Sequence, residues 1–139
     1  MSDKDKPVHA VDFDGTLSKY NGREHIDYDP AKYGAPIDKM VRRVRIWLAK
    51  GEGVVILTAR VHSFHPADAI LESTKAINKF CLENFGRELP VTCEKHPSYT
   101  DLWDDKAVRV IRDTGEISCG ADVDDPLTQG ADAIGSFLG

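Results

Sequence analysis

The stretch VHAVDFDGTLS, Val8–Ser18, constrains the fold more than any other part of the chain. Its apolar run, Val8–Phe13, reads as a buried first strand. Two carboxylates one residue apart, Asp12 and Asp14, close that run and lead straight into Gly15-Thr16. Like charges so placed repel each other. A bound cation is the compensation that fits.

Beyond this stretch the chain alternates between helix and strand patterns. Gly15–Pro36 is turn-rich, with three glycines, two prolines, Asn21 and several acids. Pro36 and Asp38 open a helix that runs to about Lys50. Its apolar positions Ile37, Val41, Val44 and Leu48 recur at helical spacing, so that stripe should face the core. Gly51 and Gly53 end it. Val54–Leu57, VVIL, is a continuous run of the kind found in strands buried on both faces. Pro66 starts a second helix reaching about Asn84, with Ile70, Thr74, Ile77 and Cys81 on one stripe and Leu71 and Phe80 beside it. PVTC and TDLW are short candidate strands. AVRVI, the turn RDTG and EISC have the form of a hairpin.

Strands alternating with helices predict an α/β fold. The expectation is one Rossmann-like domain over residues 1–139, with a mostly parallel sheet flanked by helices. Residues 1–7 form a polar tail, and residues 121–139 a weakly structured C-terminal segment. The opening MSDKDKP is not expected to act as a signal peptide, and no apolar run approaches membrane-spanning length. The net charge of −5 argues against a broad nucleic-acid-binding face and leaves nucleic acid as a partner only through a strand end. Three cysteines, Cys81, Cys93 and Cys119, without C-x-x-C spacing, read as reduced thiols of a cytoplasmic protein.

In a parallel α/β sheet, ligands bind outside the carboxyl ends of the strands. Three candidate strand ends carry polar chemistry: Asp12 and Asp14, then Thr58 in VVILTAR, then Asp104 and Asp105 in TDLWDDKAV. Four carboxylates converging on one crevice need a cation, and Mg²⁺, a hard ion that takes oxygen ligands and bridges to phosphate, suits them. A carboxylate held there can attack phosphorus. A second carboxylate two residues on can protonate the leaving oxygen and then activate water. A hydroxyl and a cation must receive the charge on the phosphoryl oxygens; Thr58 and Lys95 are the candidates.

On these residues the chain resembles the haloacid dehalogenase-like (HAD) phosphohydrolases. DFDGT resembles their first motif and ILTAR their second. Lys95 in CEKHP would be the basic residue of the third, and LWDDKA resembles the paired-acid fourth. The resemblance spans about Val8 to Val108, and the whole also resembles small phage and bacterial members with a WDDRAV-like ending. It implies Asp12 as nucleophile and metal ligand. Asp14 would be the general acid/base, with its backbone carbonyl on the metal. Thr58 would bind the phosphoryl group, Lys95 would neutralise charge, and Asp105, supported by Asp104, would complete the Mg²⁺ site. Thr16, Thr58, Arg60 and Lys95 would contact the phosphorylated substrate. An acid at position 14 implies phosphomonoester hydrolysis or phosphotransfer, not dehalogenation.

The family usually carries a cap domain. Here Leu17–Ala35 is a loop's worth of chain, and Val61–Val91 is accounted for by one loop and one helix, so the chain reads as minimal or capless. An open site suits a large substrate end, or a roof from a second subunit. Nucleotide, nucleic-acid end, sugar phosphate and phosphoprotein all stay open, as does the oligomeric state. A catalytically idle accessory protein and a phosphotransferase are the alternatives. VDDP, Val123–Pro126, is a second place where the paired acids could lie. His62 and His65 read as surface histidines or substrate contacts. Tyr20, Tyr28 and Tyr33 could stack a base or pack their own loop. Arg42, Arg43, Arg45 and Lys50 read as a solvated helix face.

Overall fold

A computed structural model describes residues 5–20 and 28–128. The chain runs β1 (Val8–Val11), α1 (Asp38–Ala49), β2 (Gly53–Leu57), a 3₁₀ turn (Ala59–Val61), α2 (Ala67–Phe85), β3 (Val91–Thr92) and β4 (Asp101–Trp103). The four strands form one sheet in the order β3-β2-β1-β4, and every pairing is parallel. This is the α/β, Rossmann-like arrangement expected from the alternation of patterns.

The order places β1 in the middle. From β1 the chain steps through β2 and β3 to one side, then returns to add β4 on the other. The gap between β1 and β4 is therefore the point where strand order reverses, and such a point opens a crevice at the carboxyl ends. The register is direct: Val11 pairs with Trp103 on β4 and with Ile56 on β2. The residues just past these three strand ends, Asp12, Asp104 and Leu57–Thr58, thus emerge side by side.

One hydrophobic core holds the sheet and helices together. Val11, Phe13 and Ile56 meet Val41, Val44 and Trp47 of α1 and Ile77, Phe80 and Cys81 of α2. The α1 stripe is buried at Val41 and Val44, with Ile37 and Leu48 packed against the same cluster. On α2 the buried stripe is Ser73, Ile77, Phe80 and Cys81, whereas Leu71 is 55% exposed. Gly86, at φ 74°, ends α2 in the left-handed conformation and donates its N–H to the Leu82 carbonyl.

A second group ties the strands on the side away from the crevice. His9 of β1 is buried and stacks on Trp47 with ring centroids 3.9 Å apart. Its Nδ1 lies 2.8 Å from Asp101 of β4, and its Nε2 lies 2.7 Å from Glu52, which leads into β2.

Three expectations change in detail. The first strand stops at Val11, because the Phe13 carbonyl accepts from the backbone N–H groups of Thr16, Leu17 and Ser18 and so closes a turn. Among the described residues, the 108–118 segment pairs only through the Val110–Ile117 bridge and its neighbouring hydrogen bonds, with both side chains exposed. Arg43 of α1 is not solvated but pairs bidentately with Asp125, at 2.9 and 2.8 Å. The Val61–Val91 stretch holds α2 and turns, with no further domain. Residues 21–27 of the Leu17–Ala35 loop, 1–4 of the N-terminal tail and 129–139 of the C-terminal segment lie outside the described residues. Among the described residues, no helix is long and apolar enough to cross a membrane.

Candidate active site

Asp12 is the first residue beyond β1, and its N–H still bonds the Trp103 carbonyl of β4 at 2.8 Å. That bond fixes Asp12 against the end of β4, where Asp104 and Asp105 come next. Carboxylate oxygens of Asp12, Asp104 and Asp105 all lie within 4.8 Å of one another. Burial, the contact with Asp105 and the charge of Asp104 push the Asp12 carboxyl up to about 7. Bringing three acids together without a counter-charge has this effect. The donor set is all oxygen and strongly anionic, which fits a hard divalent cation such as Mg²⁺.

Gly15 makes this convergence possible. Its φ is +84°, and a Cβ placed there would lie 2.6 Å from Asp105 Oδ2. Only glycine lets the turn after β1 pass so close to the Asp105 carboxylate. Thr16 is next, buried, with its hydroxyl 3.4 Å from both Asp12 and Asp105. Asp104 accepts the Lys106 N–H at 2.7 Å, which folds the chain back directly after the acid pair.

Asp14 lies across the same turn. Both of its oxygens are held by Arg60, with Nε to Oδ2 at 2.7 Å and Nη2 to Oδ1 at 2.8 Å. Arg60 is itself 5% exposed. It also donates to the carbonyls of Pro30 and Lys32, and its guanidinium sits between the rings of Phe13 and Tyr28, at 5.2 and 5.4 Å. A guanidinium held by two carbonyls and two rings is pre-oriented, so it fixes the Asp14 carboxylate in turn. Thr58 directly follows β2, is buried, and accepts the Arg60 N–H with its hydroxyl at 3.2 Å.

These groups share an open cleft of about 600 Å³ lined by Asp12, Asp14, Thr58, Arg60, Asp104 and Lys106, together with Tyr20, Tyr28, His62, Phe64 and His65. Asp105 is exposed and lies beside Gly15 and Thr16, outside that lining. Of the residues expected from the sequence, Asp12, Asp14, Thr16, Thr58, Arg60, Asp104 and Asp105 come together. Lys95 does not: it is exposed and falls outside the cleft lining. Lys106, absent from the sequence-based expectations, lines the cleft in its place. A signal for it exists, since it stands two residues past a strand-end acid. Asp125 is taken up by Arg43, and neither acid of the second pair, VDDP, belongs to the cluster of Asp12, Asp104 and Asp105. Tyr33 belongs to the core edge, packed on Phe13 and Phe80 and bonded to Glu83.

No family model matches the chain, and neither a curated protein nor a solved structure matches it.

Proposed function

We propose that this protein is a Mg²⁺-dependent phosphomonoesterase of the HAD type that works through an aspartyl-phosphate on Asp12. The observation that carries the reading is the meeting of the Asp12 carboxylate with Asp104 and Asp105 where strand order reverses, with Thr58 and Arg60 on the adjoining strand end. Asp12, Asp104 and Asp105 would hold Mg²⁺, which would offset their charge and that of the phosphate.

In this mechanism one Asp12 oxygen attacks phosphorus, and the bond from phosphorus to the ester oxygen breaks. Asp14 donates a proton to the departing alkoxide. Water then attacks the aspartyl-phosphate, Asp14 takes its proton, and inorganic phosphate leaves with Asp12 restored. Because Arg60 occupies both Asp14 oxygens, one of those bonds opens before Asp14 can pass a proton. The Thr58 hydroxyl and Lys106, both in the cleft lining, would meet the phosphoryl oxygens. The open cleft gives water access, which favours hydrolysis over phosphotransfer. The free thiols Cys81, Cys93 and Cys119 support a cytoplasmic setting.

The test is phosphate release from a panel of phosphomonoesters with Mg²⁺, with EDTA, and with EDTA followed by excess Mg²⁺. Turnover should vanish and return. In a Mg²⁺ titration, Asp105→Ala should raise the concentration needed for half-maximal activity, and Asp125→Ala should leave it near wild type. Turnover that persists in EDTA overturns the metal-dependent reading.

A further inference from the structure

One wall of the cleft is chemically unlike the rest. Besides the carboxylates and Thr58, the cleft lining holds a run of rings, Tyr28, His65 and Phe64. Tyr28 is anchored at its far end, with its hydroxyl 2.9 Å from the buried hydroxyl of Ser73 on α2. One face of Tyr28 receives the Arg60 guanidinium, and His65 lies 5.6 Å from the ring. His65 in turn contacts Phe64 edge-on at 5.4 Å. Phe64 is 84% exposed, the most exposed large hydrophobic residue of the described chain.

Its position is not loose. The Phe64 N–H bonds His62 Nδ1 at 2.9 Å, and the His65 N–H bonds the His62 carbonyl at 3.0 Å. The turn is held between the 3₁₀ turn after β2 and the first turn of α2. A single exposed Phe is ordinary on a surface. A Phe whose backbone is held in a turn, lining the same cleft as Asp12 and Asp104, is a platform for a planar group. The cleft volume of about 600 Å³ falls within the range that takes one small ligand.

We propose that this wall selects a nucleobase, so that the substrate is a nucleoside phosphomonoester, free or at a strand end, with its base stacked on Phe64 and its phosphate at Asp12. The proposal rests on the phosphoryl site at Asp12 and adds the substrate class. Stacking tolerates every base, because each presents a π face. A sugar phosphate or phosphoserine has no planar group and leaves Phe64 in water.

The test compares adenosine 5′-monophosphate, adenosine 3′-monophosphate and ribose 5-phosphate. The better nucleotide should exceed ribose 5-phosphate in kcat/KM by about tenfold or more, the worth of one base stacked on an aromatic ring. Phe64→Ala should collapse that ratio toward one, mainly through KM, and Phe64→Trp should retain it. Equal use of ribose 5-phosphate and both nucleotides by the wild type, or a ratio unchanged in Phe64→Ala, overturns the proposal. Binding of the same three compounds to Asp12→Asn protein with Mg²⁺, by calorimetry, separates the two claims. Base-selective binding without turnover by the wild type would uphold the stacking wall and sink the phosphatase reading. Turnover without base preference would do the opposite. A short oligonucleotide bearing the same terminal phosphate then distinguishes a strand end, used faster than the mononucleotide, from a free nucleotide, used faster than the strand.

Discussion

Replacing His9 by alanine should lower stability steeply and in a way that depends on pH. His9 bridges Glu52 and Asp101, whose side chains are only 16% and 28% exposed, and it stacks on Trp47. Alanine leaves two largely buried carboxylates without their shared donor, Asp101 keeping the Trp103 indole N–H. Breaking a buried pair by removing one partner costs roughly 3–5 kcal/mol. For 139 residues the unfolding entropy near Tm is about 0.29 kcal/mol/K. The variant should therefore melt about 10–17 °C lower at pH 6.

The pH dependence comes from the direction of the His9 shift. Burial alone would lower its pKa, but the hydrogen bonds to Asp101 and Glu52, with their charges, outweigh burial and raise it above the ordinary 6.5. A raised folded-state value favours the charged ring in the native state. Its contribution is complete below the unfolded value and is lost as pH rises through the folded one. The gap in Tm between wild type and His9→Ala should thus be widest near pH 6 and narrow toward pH 9. A remainder should persist there, because a neutral ring still donates one hydrogen bond and still stacks. Calorimetric melts at pH 6, 7.5 and 9 measure this. A drop below about 3 °C at pH 6, or a gap that does not change with pH, refutes the doubly bonded imidazolium.

Three further outcomes concern the cleft. Asp14→Asn should slow turnover by ~10²–10⁴, the usual worth of a positioned acid/base, and an unchanged steady-state rate would remove Asp14 from proton transfer. Gly15→Ala should weaken Mg²⁺ activation, because the new Cβ cannot coexist with Asp105 Oδ2 at 2.6 Å; an unshifted Mg²⁺ titration would show that Asp105 is not positioned by this turn. Lys106→Ala should raise KM for phosphomonoesters more than Lys95→Ala does, since Lys106 lines the cleft. The reverse order in steady-state assays would return the cationic role to Lys95.

Much of this architecture is legible from the chain because it rests on short-range rules. VVIL and the helical spacing of Val41 and Val44 declare a buried strand and a core-facing helix. The acids at positions 12, 104 and 105 stand just past apolar runs, and the parallel register then carries them to one crevice. The features that stay hidden depend on where long side chains reach. Arg60 can be placed beside the site from sequence, but not clamped on Asp14, because that geometry needs the Pro30 and Lys32 carbonyls and the Phe13 and Tyr28 rings. Lys95 lies in the exposed chain between β3 and β4 and does not line the crevice, and its residue type gives no hint of that. The 108–118 segment has apolar side chains and a good turn, yet among the described residues it forms a single bridge.

The central claim is a covalent bond from phosphorus to Asp12. Protein mixed with a ³²P-labelled phosphomonoester and Mg²⁺, quenched in acid within milliseconds, should retain label on the chain. That label should be released by base or hydroxylamine, map to the peptide containing Asp12, and be absent from Asp12→Asn. Rapid turnover with no trapped label at any quench time, or label that persists in Asp12→Asn, would contradict the account.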